Sequence, residues 1–143
     1  MMVNTFLPYE EFSECAKVLD DKRLYKQIVE CKQILRALRG ETKGWLNHPI
    51  TKMWRGYEDA LEHYQMAMFK EWAKRRWDFD VVFSGASTFF PVMPCWLGDE
   101  ELHFTHRCNL LRKDKEHYRK FFDLRKHRFY DTVDYKWTRG GAK

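Results

Sequence analysis

Leu19-Asp20-Asp21-Lys22-Arg23-Leu24-Tyr25-Lys26-Gln27-Ile28-Val29-Glu30-Cys31-Lys32-Gln33-Ile34-Leu35-Arg36-Ala37-Leu38 is the stretch on which the fold turns. Leu24, Ile28, Cys31, Leu35 and Leu38 recur at helical spacing, which is the apolar stripe of an amphipathic α-helix and therefore a core face. Arg23, Lys26, Gln27, Glu30 and Gln33 fall on a neighbouring face at spacings of three, four and seven, so their side chains gather at one surface site. Such a face suits phosphate binding with acid/base chemistry at Glu30. The plainer alternative, a solvated helix face with an ordinary Glu/Lys pair, stays open on this stretch alone.

Outward from this helix the chain reads as all-α. A first helix is expected from about Glu10 to Leu19, after the Leu7-Pro8-Tyr9 turn. The second runs from about Asp21, with Asp20 or Asp21 as N-cap, to Leu38, where Gly40 terminates it. Asn47-His48-Pro49 opens a third, because proline fits the first helical turn. Met53, Trp54, Tyr57, Ala60, Leu61, Tyr64, Met68 and Trp72 keep helical spacing, predicting one long helix to about Arg75. Gly85, Pro91, Pro94 and Gly98 break up the apolar segment from Asp78 to Gly98, which is expected as a long packed loop. Asp99 then caps a fourth, long helix with a core stripe of Phe104, Cys108, Leu111, Tyr118 and Phe122, leaving His103, His106, Arg107, Leu110, Lys113 and Asp114 on the other face. The expectation is a compact single domain over residues 1–143, with about four helices.

The chain has 143 residues, enough to bury a core without covalent staples, and carries a net charge of +5. From Arg119 to Lys143 eight basic residues stand against three acidic ones, an excess as large as that of the whole chain. Phe121, Phe122, Phe129, Tyr130, Tyr135 and Trp137 interleave with them. That pattern suits a phosphate backbone with aromatics for stacking or wedging, or a tail whose rings pack on the body. No apolar run is long enough for a membrane span, and no signal peptide is read. Cys15, Cys31, Cys95 and Cys108 form no CxxC pair, so a disulfide framework is not expected and a reducing, cytoplasmic location is, at the nucleoid or in an infected cell.

His103, His106, Cys108 and Cys95 raise the question of zinc, but Cys108 falls on the apolar face and the ligand spacing is wrong. The reading is therefore no metal and no cofactor. A polar face of His103, His106 and Arg107 meeting a phosphate is the alternative to plain surface histidines. His48, at a helix start, is either a cap or, held neutral by the helix dipole, a hydrogen-bonding group for substrate.

Taken together, these residues resemble the pyrimidine-dimer DNA glycosylases. The resemblance rests on Val3-Asn4-Thr5-Phe6-Leu7-Pro8-Tyr9, on the run from Leu19 to Glu30, and on Asn47-His48-Pro49 with Met53-Trp54-Arg55-Gly56-Tyr57. It extends to Trp96-Leu97-Gly98-Asp99-Glu100 and to the segment from His103 to Lys113, covering most of residues 2–118. It implies a compact helical enzyme that flips a base out of kinked duplex DNA. Such an enzyme cuts the glycosidic bond of a cyclobutane dimer and nicks the strand at the abasic site. It also implies that Glu30 is the essential carboxylate and that the N-terminal α-amine, on Met1 or on Met2 after trimming, attacks the sugar C1′. Arg23 and His48 stand where the family places histidines. Lys22, Arg23, Lys26, His48, His103, His106, Arg107 and Lys113 are the expected DNA-binding residues.

The chain departs from the family pattern in its Met1-Met2 start, in Val29 before the essential glutamate and in Gln33 three residues after it. Phosphate clamping then falls to residues such as Lys22, Arg107 and Lys113. The expected partner is double-stranded DNA carrying a pyrimidine lesion, bound by a monomer. The competing classes are a non-catalytic helical DNA-binding module that uses the basic tail, and a glycosylase for a modified rather than UV-damaged pyrimidine.

Overall fold

A computed structural model describes residues 4–44, 46–80 and 91–137. Its regular elements are all helical among these residues: α1 (Phe12–Val18), α2 (Asp21–Leu38), α3 (Pro49–Trp54), α4 (Glu58–Trp77), α5 (Glu100–Lys113), α6 (Lys115–Tyr118) and a 3-10 turn at Tyr130–Thr132. No helix among them is long and apolar enough to cross a membrane. Met1 and Met2, residues 81–90 of the expected loop and the tail beyond Trp137 lie outside the described residues.

α2 forms where its periodicity predicts. The Asp20 side chain accepts the Arg23 backbone N–H, relieving one of the unpaired donors of the first turn. Leu24, Cys31, Ile34 and Leu35 are buried, with Ile28 and Leu38 packed against them. α4 lies along α2 and α1. Arg75 of α4 joins the three: its guanidinium donates to the carbonyls of Ala16, Lys17 and Leu19 at 2.7–3.1 Å and pairs with Glu71 and Asp21. The carbonyls at the end of α1 are thereby satisfied by a charged donor rather than by water.

The expected third helix is two helices, and the described residues form six α-helices rather than about four. Met53, Trp54, Tyr57, Ala60, Leu61, Tyr64 and Met68 are all buried, so the periodicity located the core face. The backbone nonetheless leaves the helix at Arg55 (ψ 126°) and Gly56 (φ +89°). A left-handed φ suits glycine, which lacks the Cβ that penalises it elsewhere. α4 then restarts at Glu58, whose carboxylate accepts the Gly56 N–H at 2.9 Å.

α5 starts where Asp99 caps it, but it is not two-faced. Leu102, His103, Thr105, His106, Cys108, Asn109, Leu110 and Leu111 are all buried, because the N-terminal segment covers one side and the tail covers another. The tail docks through Val133 O, which accepts from Asn109 Nδ2 and Arg112 Nη2, and through Lys136 N–H on Thr105 Oγ1. Lys136 also pairs with Asp99 and Glu101. Tyr130, Tyr135 and Trp137 pack on the core and Phe122 is inside it. For these rings packing on the body, not a free wedge, is what the sequence encodes; Phe121 and Phe129 are exposed.

Candidate active site

The segment from Asn4 to Tyr9 has no regular structure, yet Asn4, Thr5, Phe6 and Leu7 are buried. Its backbone polar groups must therefore find partners outside a ladder, and side chains supply them. Gln27, fully buried on α2, bridges two of them: Phe6 N–H donates to its Oε1 and its Nε2 donates to Asn4 O, both at 2.9 Å. The Tyr64 hydroxyl lies 2.7 Å from Phe6 O and 2.5 Å from Gln27 Oε1, and its one proton serves one acceptor at a time. Trp54 Nε1–H donates to Thr5 Oγ1.

Leu7 is read by two histidines. Its N–H donates to His106 Nδ1 at 3.0 Å, and its carbonyl lies 2.7 Å from His103 Nδ1. Gly98 N–H donates to His103 Nε2, so His103 carries its proton on Nδ1 and is the donor to Leu7 O. Burial drives the His106 pKa down to about 3, with His103 adding a smaller push. Its Nε2 is buried without a partner, and its ring meets Tyr135 edge-on at 5.2 Å. Arg107 donates to Pro8 O at 2.8 Å, contacts His127 at 3.1 Å and pairs with Glu100.

These three residues correct the expectation of a phosphate-facing polar surface on α5. His103 and His106 are 2% and 1% exposed; each turns its Nδ1 to Leu7 of the N-terminal segment, and Arg107 is turned to Pro8. Nor do they gather into a metal centre: among the described residues no group of three or more His, Cys, Asp and Glu side chains is placed to hold an ion.

The point of this clamping is Glu30. Its Oε2 accepts the Asn4 backbone N–H at 3.1 Å, so the chain's first described residue is fixed on the α2 carboxylate. Burial raises the Glu30 pKa above the ordinary glutamate range, and the Asn4 bond, Lys26 and Lys113 pull back against it. A half-buried carboxyl tuned this way is suited to moving protons near neutral pH. Lys113, in the last turn of α5, has its pKa lowered by burial and by Arg23, Arg112 and Lys26, with Glu30 opposing.

Glu30, Arg23, Lys26 and Lys113 thus come together, as their spacing on two helices allows. Arg23 is also held by Asp20 at 3.2 Å. Lys22 is exposed further round α2, beside Tyr25. His48 caps α3 through Nδ1, which accepts Ile50 N–H at 3.1 Å. Its pKa is lowered by burial, and its ring lies edge-on to Trp137 at 6.1 Å.

Four residues at or beneath the site carry roles the sequence did not disclose. Asn4 was legible only within the N-terminal motif, Gln27 as a member of a polar helix face, and Tyr64 only as one ring of a core stripe. Tyr135 lies within electrostatic reach of Glu30, and burial pushes its phenol up to about 12 while the Asn4 side chain, Arg112 and Arg23 work the other way. Its ring lies 5.7 Å from that of Trp137. Tyr135 of the tail thus borders a carboxylate on which Lys26 and Lys113 act.

Comparison with known proteins gives one match: the sequence model of a family described as pyrimidine dimer DNA glycosylase covers residues 3–84, which includes Asn4, Gln27, Glu30, His48 and Tyr64. No curated protein and no solved structure matches the chain.

Proposed function

The chain belongs to the pyrimidine dimer DNA glycosylase family, a family of DNA-repair enzymes, and from that premise we propose that it cuts the glycosidic bond of one pyrimidine of a cyclobutane dimer in duplex DNA and then nicks the strand. The observation that carries the reading is the Asn4 N–H bond to Glu30. It ties the start of the chain to a carboxylate that is half-buried beside Lys26 and Lys113, and the N-terminal amine is tethered to Asn4 by a few residues.

In this reading the target nucleotide leaves the stack, since C1′ of a paired base is out of reach. The amine, on Met1 or on Met2 after trimming, attacks C1′ as the glycosidic bond breaks, and the base leaves C1′ with the bond's electron pair while staying joined to its neighbour through the cyclobutane ring. An α-amine has a pKa of about 7.7–8.0 against about 10.4 for lysine, so roughly a tenth is neutral near pH 7 without special burial. Ionised Glu30 stabilises the cationic sugar that develops at C1′. The ring opens to an imine, Glu30 takes a proton from C2′, and the 3′-phosphate leaves by elimination. No step calls for a metal or cofactor.

Lys26, Arg23 and Lys113 hold the phosphates on either side of the extruded nucleotide, fixing its register while the lesion itself is recognised by its ease of unstacking. His48 presents a neutral ring beside Trp137 for contact with the DNA. The protein acts as a monomer, in the compartment that holds the DNA.

Glu30→Gln keeps the size and the Asn4 bond but removes the charge and the proton acceptor. It is expected to lower single-turnover cleavage of a dimer-containing duplex by a factor of about a hundred or more, with the dissociation constant for that duplex within a few-fold of the parent protein. Parent-level cleavage by Glu30→Gln would refute the assignment.

A further inference from the structure

Further round α2 from Glu30, a shallow concavity of about 580 Å³ opens between α2 and α4, lined by Asp21, Lys22, Tyr25, Lys26, Trp72 and Arg76. Its floor is aromatic. The rings of Tyr25 and Trp72 lie 5.1 Å apart at 48°, and the Arg76 guanidinium sits 5.2 Å from the Trp72 ring centre. Tyr25 is 51% exposed, an unusual position for a large ring with nothing polar holding it, whereas Trp72 is anchored against the core.

The rim is cationic. Lys22, Lys26 and Arg76 surround the two rings, and the single acid, Asp21, is paired with Arg75 at 3.1 Å. An apolar protein surface has no use for three cations on its border. A polyanion with flat π faces matches both features, since bases stack on aromatic rings while cations follow the backbone.

The shelf is continuous with the carboxylate site, because Lys26 lines the shelf and also acts electrostatically on Glu30. Tyr25 precedes Glu30 by five residues, about 7.5 Å along the helix axis and about 140° round it. DNA rises about 3.4 Å per nucleotide of one strand, so the shelf lies at least about two nucleotide steps away.

We propose that Tyr25 and Trp72 form a stacking subsite for an unstacked base of the bound DNA, at least about two nucleotides from the one engaged at Glu30, with Lys22, Lys26 and Arg76 around its phosphates. The proposal rests on the reading of Glu30 as the DNA-cleaving carboxylate. It adds a specific energetic role: holding a displaced base stabilises the kinked duplex from which the target nucleotide leaves. Base stacking on an aromatic ring contributes about five- to a hundredfold in affinity.

The probe is a duplex with one tetrahydrofuran abasic analogue and a 2-aminopurine two or more positions away, placed on each side and on each strand in turn. Tyr25→Ala, at an exposed position, should weaken binding at least about fivefold without changing the slope of log Kd against log salt, because no phosphate contact is lost. Tyr25→Phe should restore it. Bound 2-aminopurine in one of the placements should be quenched by the parent protein and bright with Tyr25→Ala or Trp72→Leu, the latter checked by circular dichroism for a native fold. If the parent protein prefers the abasic duplex while Tyr25→Ala binds as well and leaves emission unchanged in every placement, the shelf is refuted and the glycosylase reading stands. If the parent protein shows no preference for the abasic duplex over an intact one, both fall.

Discussion

Replacing Gln27 by leucine tests the claim that side chains from the helices, and not regular structure, hold the N-terminal segment on Glu30. The volume is nearly conserved, so no cavity is opened. What is lost is the pair of 2.9 Å bonds to Phe6 N–H and Asn4 O, at a position with no solvent exposure. Each backbone group left unpaired in the interior costs about 1–3 kcal/mol, so the pair sums to about 4 kcal/mol. For a domain of this size 1 kcal/mol moves the melting midpoint by roughly 3–4 °C, giving a fall of about 12–16 °C. Chemical denaturation followed by tryptophan emission gives the free energy directly. Hydrogen exchange at Phe6 and Leu7 should accelerate more than exchange in α4, because the damage begins in the segment. Gln27→Glu is the companion variant: ionised, its carboxylate still accepts Phe6 N–H but has no proton for Asn4 O. A loss below about 1 kcal/mol in Gln27→Leu, with Phe6 and Leu7 still protected, would show that Gln27 does not hold the segment in place.

His106 makes stability depend on acid. Its folded pKa is about 3 against about 6.5 unfolded, so between those values the unfolded chain binds a proton that the folded one refuses. Stability is therefore intact above about pH 6.5 and falls as pH drops towards 3, by up to about 1.4 kcal/mol per pH unit. His106→Asn, whose Oδ1 still accepts Leu7 N–H, should flatten that limb in urea titrations at pH 4 to 7; an unchanged limb would show that other groups produce it. Lys113→Met removes a cation that pulls the Glu30 pKa down, so the acid limb of the single-turnover pH profile should move to higher pH. A shift to lower pH, or none, would dissociate Lys113 from Glu30.

The fold was legible wherever a single face of a helix decides burial. α2 runs over the residues its stripe predicts, and Asp20 and Asp99 cap α2 and α5 as their positions suggest. Periodicity also located the buried residues from Met53 to Met68, but it could not register the break at Gly56, because a glycine with the next helix resuming in phase leaves the pattern intact. α5 misled for a different reason. Its histidines look like a polar surface until the partner is known, and the partner is a segment nearly a hundred residues away that needs hydrogen bonds and has no strand to supply them. Local spacing carries no trace of such a contact. The same holds for Gln27 and Tyr64, one resembling part of a polar face and the other an ordinary core ring. Glu30, Lys26 and Arg23 were readable together because they share one helix; Tyr135 joins them only through the docking of the tail.

The most direct measurement is borohydride trapping on a duplex with one cyclobutane thymine dimer, with an abasic-site duplex alongside, read by denaturing gel and peptide mass spectrometry. A covalent adduct on the N-terminal residue is expected with both substrates, lost when the α-amine is acetylated, together with a nicked strand in the absence of borohydride. An intact strand and no adduct on either duplex, from protein that is folded by circular dichroism, would contradict the imine mechanism.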